Sequence, residues 1–132
     1  LTAPFVLGSY VAEQMGMSRT KGVIVNISSI SARGNAGQSA YSAAKAGLES
    51  MTKVWAKELG SFGLRCIAIA PGVMDTESTH TAVTQDALEH VKKETPVKRL
   101  GNAEDIAHAV KFSIENDYFS GKIIEVDGGL TI

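Results

Sequence analysis

Three short runs that lack the alternation of a half-wet strand, each set apart by helix-length sequence, constrain this chain more than any other feature. They lie at residues 23–27 (VIVNI), 64–70 (LRCIAIA) and 122–126 (KIIEV). Continuous apolar runs of this length predict strands buried on both faces. Residues 39–59 are rich in Ala, Lys and Glu with helical periodicity, and Gly60 and Gly63 bracket their end as helix C-terminal signals. Asn102 is placed to cap a helix over 103–114, with Glu104 and Asp105 favourable in its first turn. Apolar positions three to four apart predict another helix over 5–17. Residues 31–38 read as loop, and 118–121 turn the chain before the last strand.

The order helix, strand, helix, strand, long connection, helix, strand predicts parallel strands with right-handed helical crossovers. Helices then cover both faces of the sheet, which gives an α/β fold of three layers, α/β/α. The connection over 73–96 is polar, helical only around 86–93, and long enough to suggest a lid.

At 132 residues, with 44% apolar and 20% charged side chains, the chain suffices for one domain with a core. A formal net charge of −1 excludes the basic footprint expected of a nucleic-acid partner. No apolar run approaches the roughly 20 residues of a membrane-spanning helix, and no secretory-signal pattern occurs. The single Cys66 forms no internal disulfide and fits a reducing, cytoplasmic compartment. Leu1 opens the sequence in what reads as the middle of an element, so a further N-terminal portion is expected.

The chemistry concentrates in GVIVNISSISARGNAGQSAYSAAKAG. Ser28 and Ser29 close the first strand, and Tyr41 and Lys45 lie four apart on the next helix, hence on one face. A free phenol is a poor acid or base at neutral pH, and an ammonium one helical turn away favours its ionised form. Tyr41 is therefore a candidate proton donor to a carbonyl, or acceptor from an alcohol. A serine hydroxyl can hold the same oxygen and stabilise charge developing on it. Ligands of open α/β sheets sit at the carboxyl ends of strands, so Pro71, Gly72, Val73, Met74 and Thr76 wall the same site. Tyr-x-x-x-Lys alone carries little weight, because the usual roles of such residues are packing and solvated charge. His80, His90 and His108 lack ligand spacing, so no metal site is expected. Lys92, Lys93, Lys98 and Arg99 read as solvated surface, with an acidic partner as the other reading. Trp55 reads as core or interface.

Taken together, NISS, YSAAKAG, IAPGVMDT, RLGNAEDIAHAV and SGKIIEVDGG make the chain resemble the C-terminal half of the short-chain dehydrogenase/reductase superfamily. Within it, GNAGQSAYSAAKAGL is most similar to the 3-oxoacyl-acyl-carrier-protein reductase type. The resemblance implies a Rossmann-like doubly wound parallel sheet, of which residues 1–132 form the C-terminal catalytic half. It implies Tyr41 as catalytic acid/base, and Lys45 as the residue that binds the nicotinamide ribose and eases ionisation of Tyr41. It implies a strand-end serine that orients the substrate carbonyl. Counting along the strand selects Ser29, and counting back from Tyr41 selects Ser28; Ser29 is favoured, because a slip of strand register would flip every side chain, and Ser28 is the alternative. The cofactor, NADP or NAD, would meet Tyr41, Lys45, Pro71, Gly72, the backbone of Val73 and Met74, and the Thr76 hydroxyl, with 75–96 as a mobile lid.

The implied reaction reduces a ketone to a secondary alcohol, with a 3-oxoacyl thioester of acyl-carrier protein or CoA as substrate. Sugar, steroid or small secondary alcohols are the other substrates to consider. A homodimer or homotetramer is implied, with Ala40, Ala43, Ala44, Ala46 and Gly47 permitting close helix approach. The family's Gly-rich phosphate loop, its cofactor discriminator and its catalytic asparagine would lie ahead of Leu1. A non-catalytic fragment or oligomerisation module is thus the rival expectation.

Overall fold

The computed structural model describes all 132 residues. Helix α1 (Thr2–Met17) leads into strand β1 (Gly22–Ile27), and a single 3-10 turn (Ile30–Arg33) precedes helix α2 (Ser39–Glu58). A second 3-10 turn (Gly60–Phe62) and Gly63, in the left-handed region at φ 75°, deliver the chain to strand β2 (Leu64–Pro71). Helices α3 (Glu77–Ala82) and α4 (Gln85–Glu94) follow, then helix α5 (Ala103–Glu115) and strand β3 (Ile123–Val126).

The three strands are parallel in the order β1-β2-β3, with Gly22 opposite Leu64 and Ala68 opposite Ile123. Strand β2 has a neighbour on each side, and Cys66, Ile67, Ala68, Ile69 and Ala70 are all at most 1% exposed. Successive side chains of a strand point to opposite faces, which places the helices. Asn26 donates to Thr52 Oγ1 of α2 at 2.9 Å and lies near Cys66 Sγ, so α2 covers that face. Gly22 of the same face lies under Met15 of α1. Arg65, next to Cys66, projects the other way. Its guanidinium donates to the carbonyls of Ser113 (2.7 Å), Ile114 (3.0 Å) and Phe119 (3.0 Å). A cation thus satisfies orphan acceptors at the C-terminal end of α5. The expected three-layer α/β/α architecture is what forms.

Three local features depart from expectation. Helix α1 begins at Thr2 and buries only Ala12, while Phe5, Val6, Leu7, Tyr10 and Met17 are exposed. Its apolar residues run all round the helix, so spacing alone selects no single inward face. The stretch expected as loop over 31–38 starts as the 3-10 turn capped by Ser29. The connection over 73–96 holds two helices instead of one. Thr76 accepts from the Thr79 N–H at 3.2 Å and Thr84 from the Ala87 N–H at 3.4 Å, each starting a helix by side-chain capping. Helix α3 buries no residue, so no hydrophobic periodicity announces it. No helix is long and apolar enough to cross a membrane.

Candidate active site

Because β1 and β2 are parallel, their carboxyl ends open on one edge of the sheet. A cleft of about 900 Å³ lies there, and Ser28, Ser29, Tyr41, Lys45, Pro71, Gly72, Val73, Met74 and Thr76 all line it. The sequence-predicted residues are therefore brought together. Ile30, Asn35, Gln38, Ser78, Thr79, Ala82 and Val83 add to the walls, the last four from α3 and its end. Lys45 is the one charged side chain of the lining.

The two strand-end serines have different partners. Ser28 is 3% exposed, and its hydroxyl donates to Glu49 Oε1 at 2.8 Å, with the Lys45 carbonyl at 3.4 Å. Ser29 is half-buried, and its hydroxyl oxygen accepts from the Ser31 N–H at 3.2 Å. No acceptor in the chain takes the Ser29 proton, which leaves it for an oxygen in the cleft. Tyr41 is 47% exposed at the first turn of α2. The Lys45 ammonium donates to the Ile27 carbonyl at 2.8 Å and stands 5.6 Å from the centre of the Tyr41 ring. An ammonium has three donors, so two remain.

On the facing wall, a parallel bridge joins Met74 to Gly101. Gly101 N–H donates to the Val73 carbonyl at 3.0 Å and Asp75 N–H to the Gly101 carbonyl at 2.7 Å. In this pattern the N–H and C=O of Met74 itself point away from Gly101, and neither has a partner in the chain. Gly101 is steadied by Arg99, whose two N–H groups clasp Asp105 at 2.6 and 2.9 Å. Together with the Asn102 N–H, that guanidinium holds the Asp105 carboxyl well below the usual carboxylate range. At the bottom of the cleft, Gly72 lies so close to the 127–129 turn that a Cβ would sit 2.7 Å from Asp127 Cα. Thr76 has its hydroxyl engaged in starting α3 and in a 2.9 Å contact with the Thr79 hydroxyl.

Sequence reasoning missed Glu49, although its spacing was visible: Tyr41, Lys45 and Glu49 recur every four residues on one helix face. His80 contacts Asp75 at 2.6 Å in the connection over 73–96, and no group of three His, Cys, Asp or Glu side chains could hold a metal ion. Lys92 and Arg99 of the basic cluster are paired with Glu89 and Asp105. Cys66 lies outside the cleft, and burial pushes its thiol up to about 11.

A family model described as enoyl-(acyl carrier protein) reductase matches residues 1–131. An acetoacetyl-CoA reductase of Synechocystis sp. is 43% identical over 129 residues, covering 95% of this chain and 50% of that protein. A 3-oxoacyl-[acyl-carrier-protein] reductase of Homo sapiens is 42% identical over 113 residues, covering 84% and 46%. Among solved structures, 4-hydroxyisoleucine dehydrogenase complexed with NADH superposes with a TM-score of 0.93 at 33% identity, covering 99% of this chain and 56% of that one. The chain belongs to the short-chain dehydrogenase/reductase superfamily, and its fold is the Rossmann-like fold of those proteins. It spans about half the length of the curated relatives it matches.

Proposed function

We propose that this chain forms the catalytic half of an NAD(P)-dependent oxidoreductase that interconverts a ketone and a secondary alcohol, with a 3-oxoacyl thioester as the substrate. The observation that carries it is the convergence, in one cleft, of a serine hydroxyl with an uncommitted proton, a phenol and an ammonium.

The donors and acceptors fit the nicotinamide-ribose end of the cofactor. A carboxamide offers one acceptor and one donor group, and the N–H and C=O of Met74 are a free donor and acceptor on one residue. The two remaining Lys45 donors suit the vicinal hydroxyls of a ribose. A nicotinamide bound there supplies the hydride in reduction and accepts it in oxidation. As the carbonyl carbon gains that hydride, Ser29 holds the oxygen and Tyr41 gives it a proton; Lys45 stabilises the phenolate left behind. No residue run in this chain offers a Gly-rich phosphate loop, so groups outside residues 1–132 would hold the pyrophosphate and adenosine.

The thioester substrate is supported by the acetoacetyl-CoA and 3-oxoacyl-acyl-carrier-protein reductases among the relatives. A homodimer or homotetramer is proposed from the exposed apolar residues of α1. The test is Tyr41→Phe in the full-length protein, assayed by NAD(P)H oxidation with acetoacetyl-CoA. Turnover should be abolished, and wild-type rates would refute the assignment.

A further inference from the structure

We infer that Glu49 is a positioning residue for this site, acting through Ser28, an inference that rests on the function proposed above. The relevant geometry is a double stitch between the end of β1 and one face of α2. Lys45 donates to the carbonyl of Ile27, and Ser28 donates to the carboxylate of Glu49, both at 2.8 Å. The two bonded residues of α2 continue the row that begins with Tyr41, and Ile27, the last residue of β1, and Ser28 lead directly into Ser29. Tyr41 and Ser29 are therefore the free ends of two elements pinned together immediately behind them.

Further along α2, Asn26 donates to Thr52 at 2.9 Å and Leu48, Thr52 and Trp55 are buried, so the helix is already held to the sheet there; at the Tyr41 end the Lys45 contact by itself is loose, because the lysine stem is long and flexible. The Ser28–Glu49 bond, one helical turn beyond Lys45, ties that anchored stretch to the residue next to Ser29. It is short, charge-assisted and set at a buried hydroxyl, which makes it stiff. The pairing also gives the two serines separate work: Ser28 fixes the register between strand and helix, and Ser29 faces the reacting oxygen.

The test uses the full-length protein and steady-state kinetics on a 3-oxoacyl thioester. Glu49→Ala should lower kcat roughly tenfold with little change in KM, since misplacing reacting groups slows the chemical step. Glu49→Gln keeps an oxygen that accepts the Ser28 proton and should hold kcat near wild type. Ser28→Ala should match Glu49→Ala, and the double variant should be no slower than either single one. Should Glu49→Ala fail to fold, Ser28→Ala, which deletes one oxygen, makes the same comparison from the other end of the bond. Wild-type kcat in the alanine variants, a glutamine variant as slow as alanine, or losses that multiply in the double variant would each overturn the inference. A merely stabilising contact would shift the unfolding temperature and leave kcat alone. Tyr41→Phe is the control: turnover surviving that change removes the proposed function itself, whereas turnover lost there but intact in Glu49→Ala removes only the role of Glu49.

Discussion

Ser28 and Ser29 are neighbours with identical side chains, and the alternation of an extended backbone is enough to turn one hydroxyl into α2 and leave the other at the cleft. The sequence favoured Ser29 on strand register and kept Ser28 as the alternative, because counting back across the loop from Tyr41 gave the other serine. Only the hydrogen bonds distinguish the two, and a hydrogen bond to Glu49 twenty-one positions away has no local signature. Gly72 is a second position where one atom decides. An added methyl meets the backbone of Asp127, which cannot rotate aside as a side chain does. Gly72→Ala should lower the stability of the full-length protein by about 1–3 kcal/mol, read as an earlier midpoint in chemical denaturation. An unchanged midpoint would show that the 127–129 turn yields freely.

Elements announced themselves in proportion to how much they bury or cap. The strands were legible from their apolar runs, yet only β2 is buried as expected; no residue of β1 or β3 is buried, because each has a neighbouring strand on one side only. Helix α5 was legible from Asn102 as its N-cap with Glu104 and Asp105 in the first turn, and Asn102 and Asp105 complete a reciprocal capping box. Helix α3 was illegible because six residues with none buried leave no pattern. The start of α5 also has a pH signature. Arg99 and the Asn102 N–H favour the ionised form of Asp105, so folding gains from this carboxylate above its ordinary value of 3.8 and loses that gain as the pH falls below it. Asp105→Asn should therefore unfold at lower temperature than wild type at neutral pH, with the gap closing below about pH 4. A gap that persists in acid would mean that the amide fails for reasons of packing and not of charge.

At the scale of the whole molecule, the sheet has three strands, and β1, the strand that leads into the serines, is paired on one side only. The parallel α/β order could be read directly from the alternation of runs. How the cleft is shared between α3 and the sheet could not, since six residues with none buried do not announce where α3 lies. The partners proposed above for a nicotinamide and its ribose lie within residues 1–132, which hold no Gly-rich loop for a pyrophosphate. Titrated alone, this chain should show no saturable binding of NADH or NADPH by fluorescence, while the full-length protein should saturate. Saturation by the chain alone would mean that the nicotinamide end suffices for affinity.

The loose footing of α3 has an evolutionary side. Ser78, Thr79 and Ala82 face the cleft from a helix that contributes nothing to the core, while β2 beneath is sealed from solvent. Variation in those three side chains can reshape what the cleft admits without endangering the scaffold, so new specificities have an open route there and a closed one through the strands.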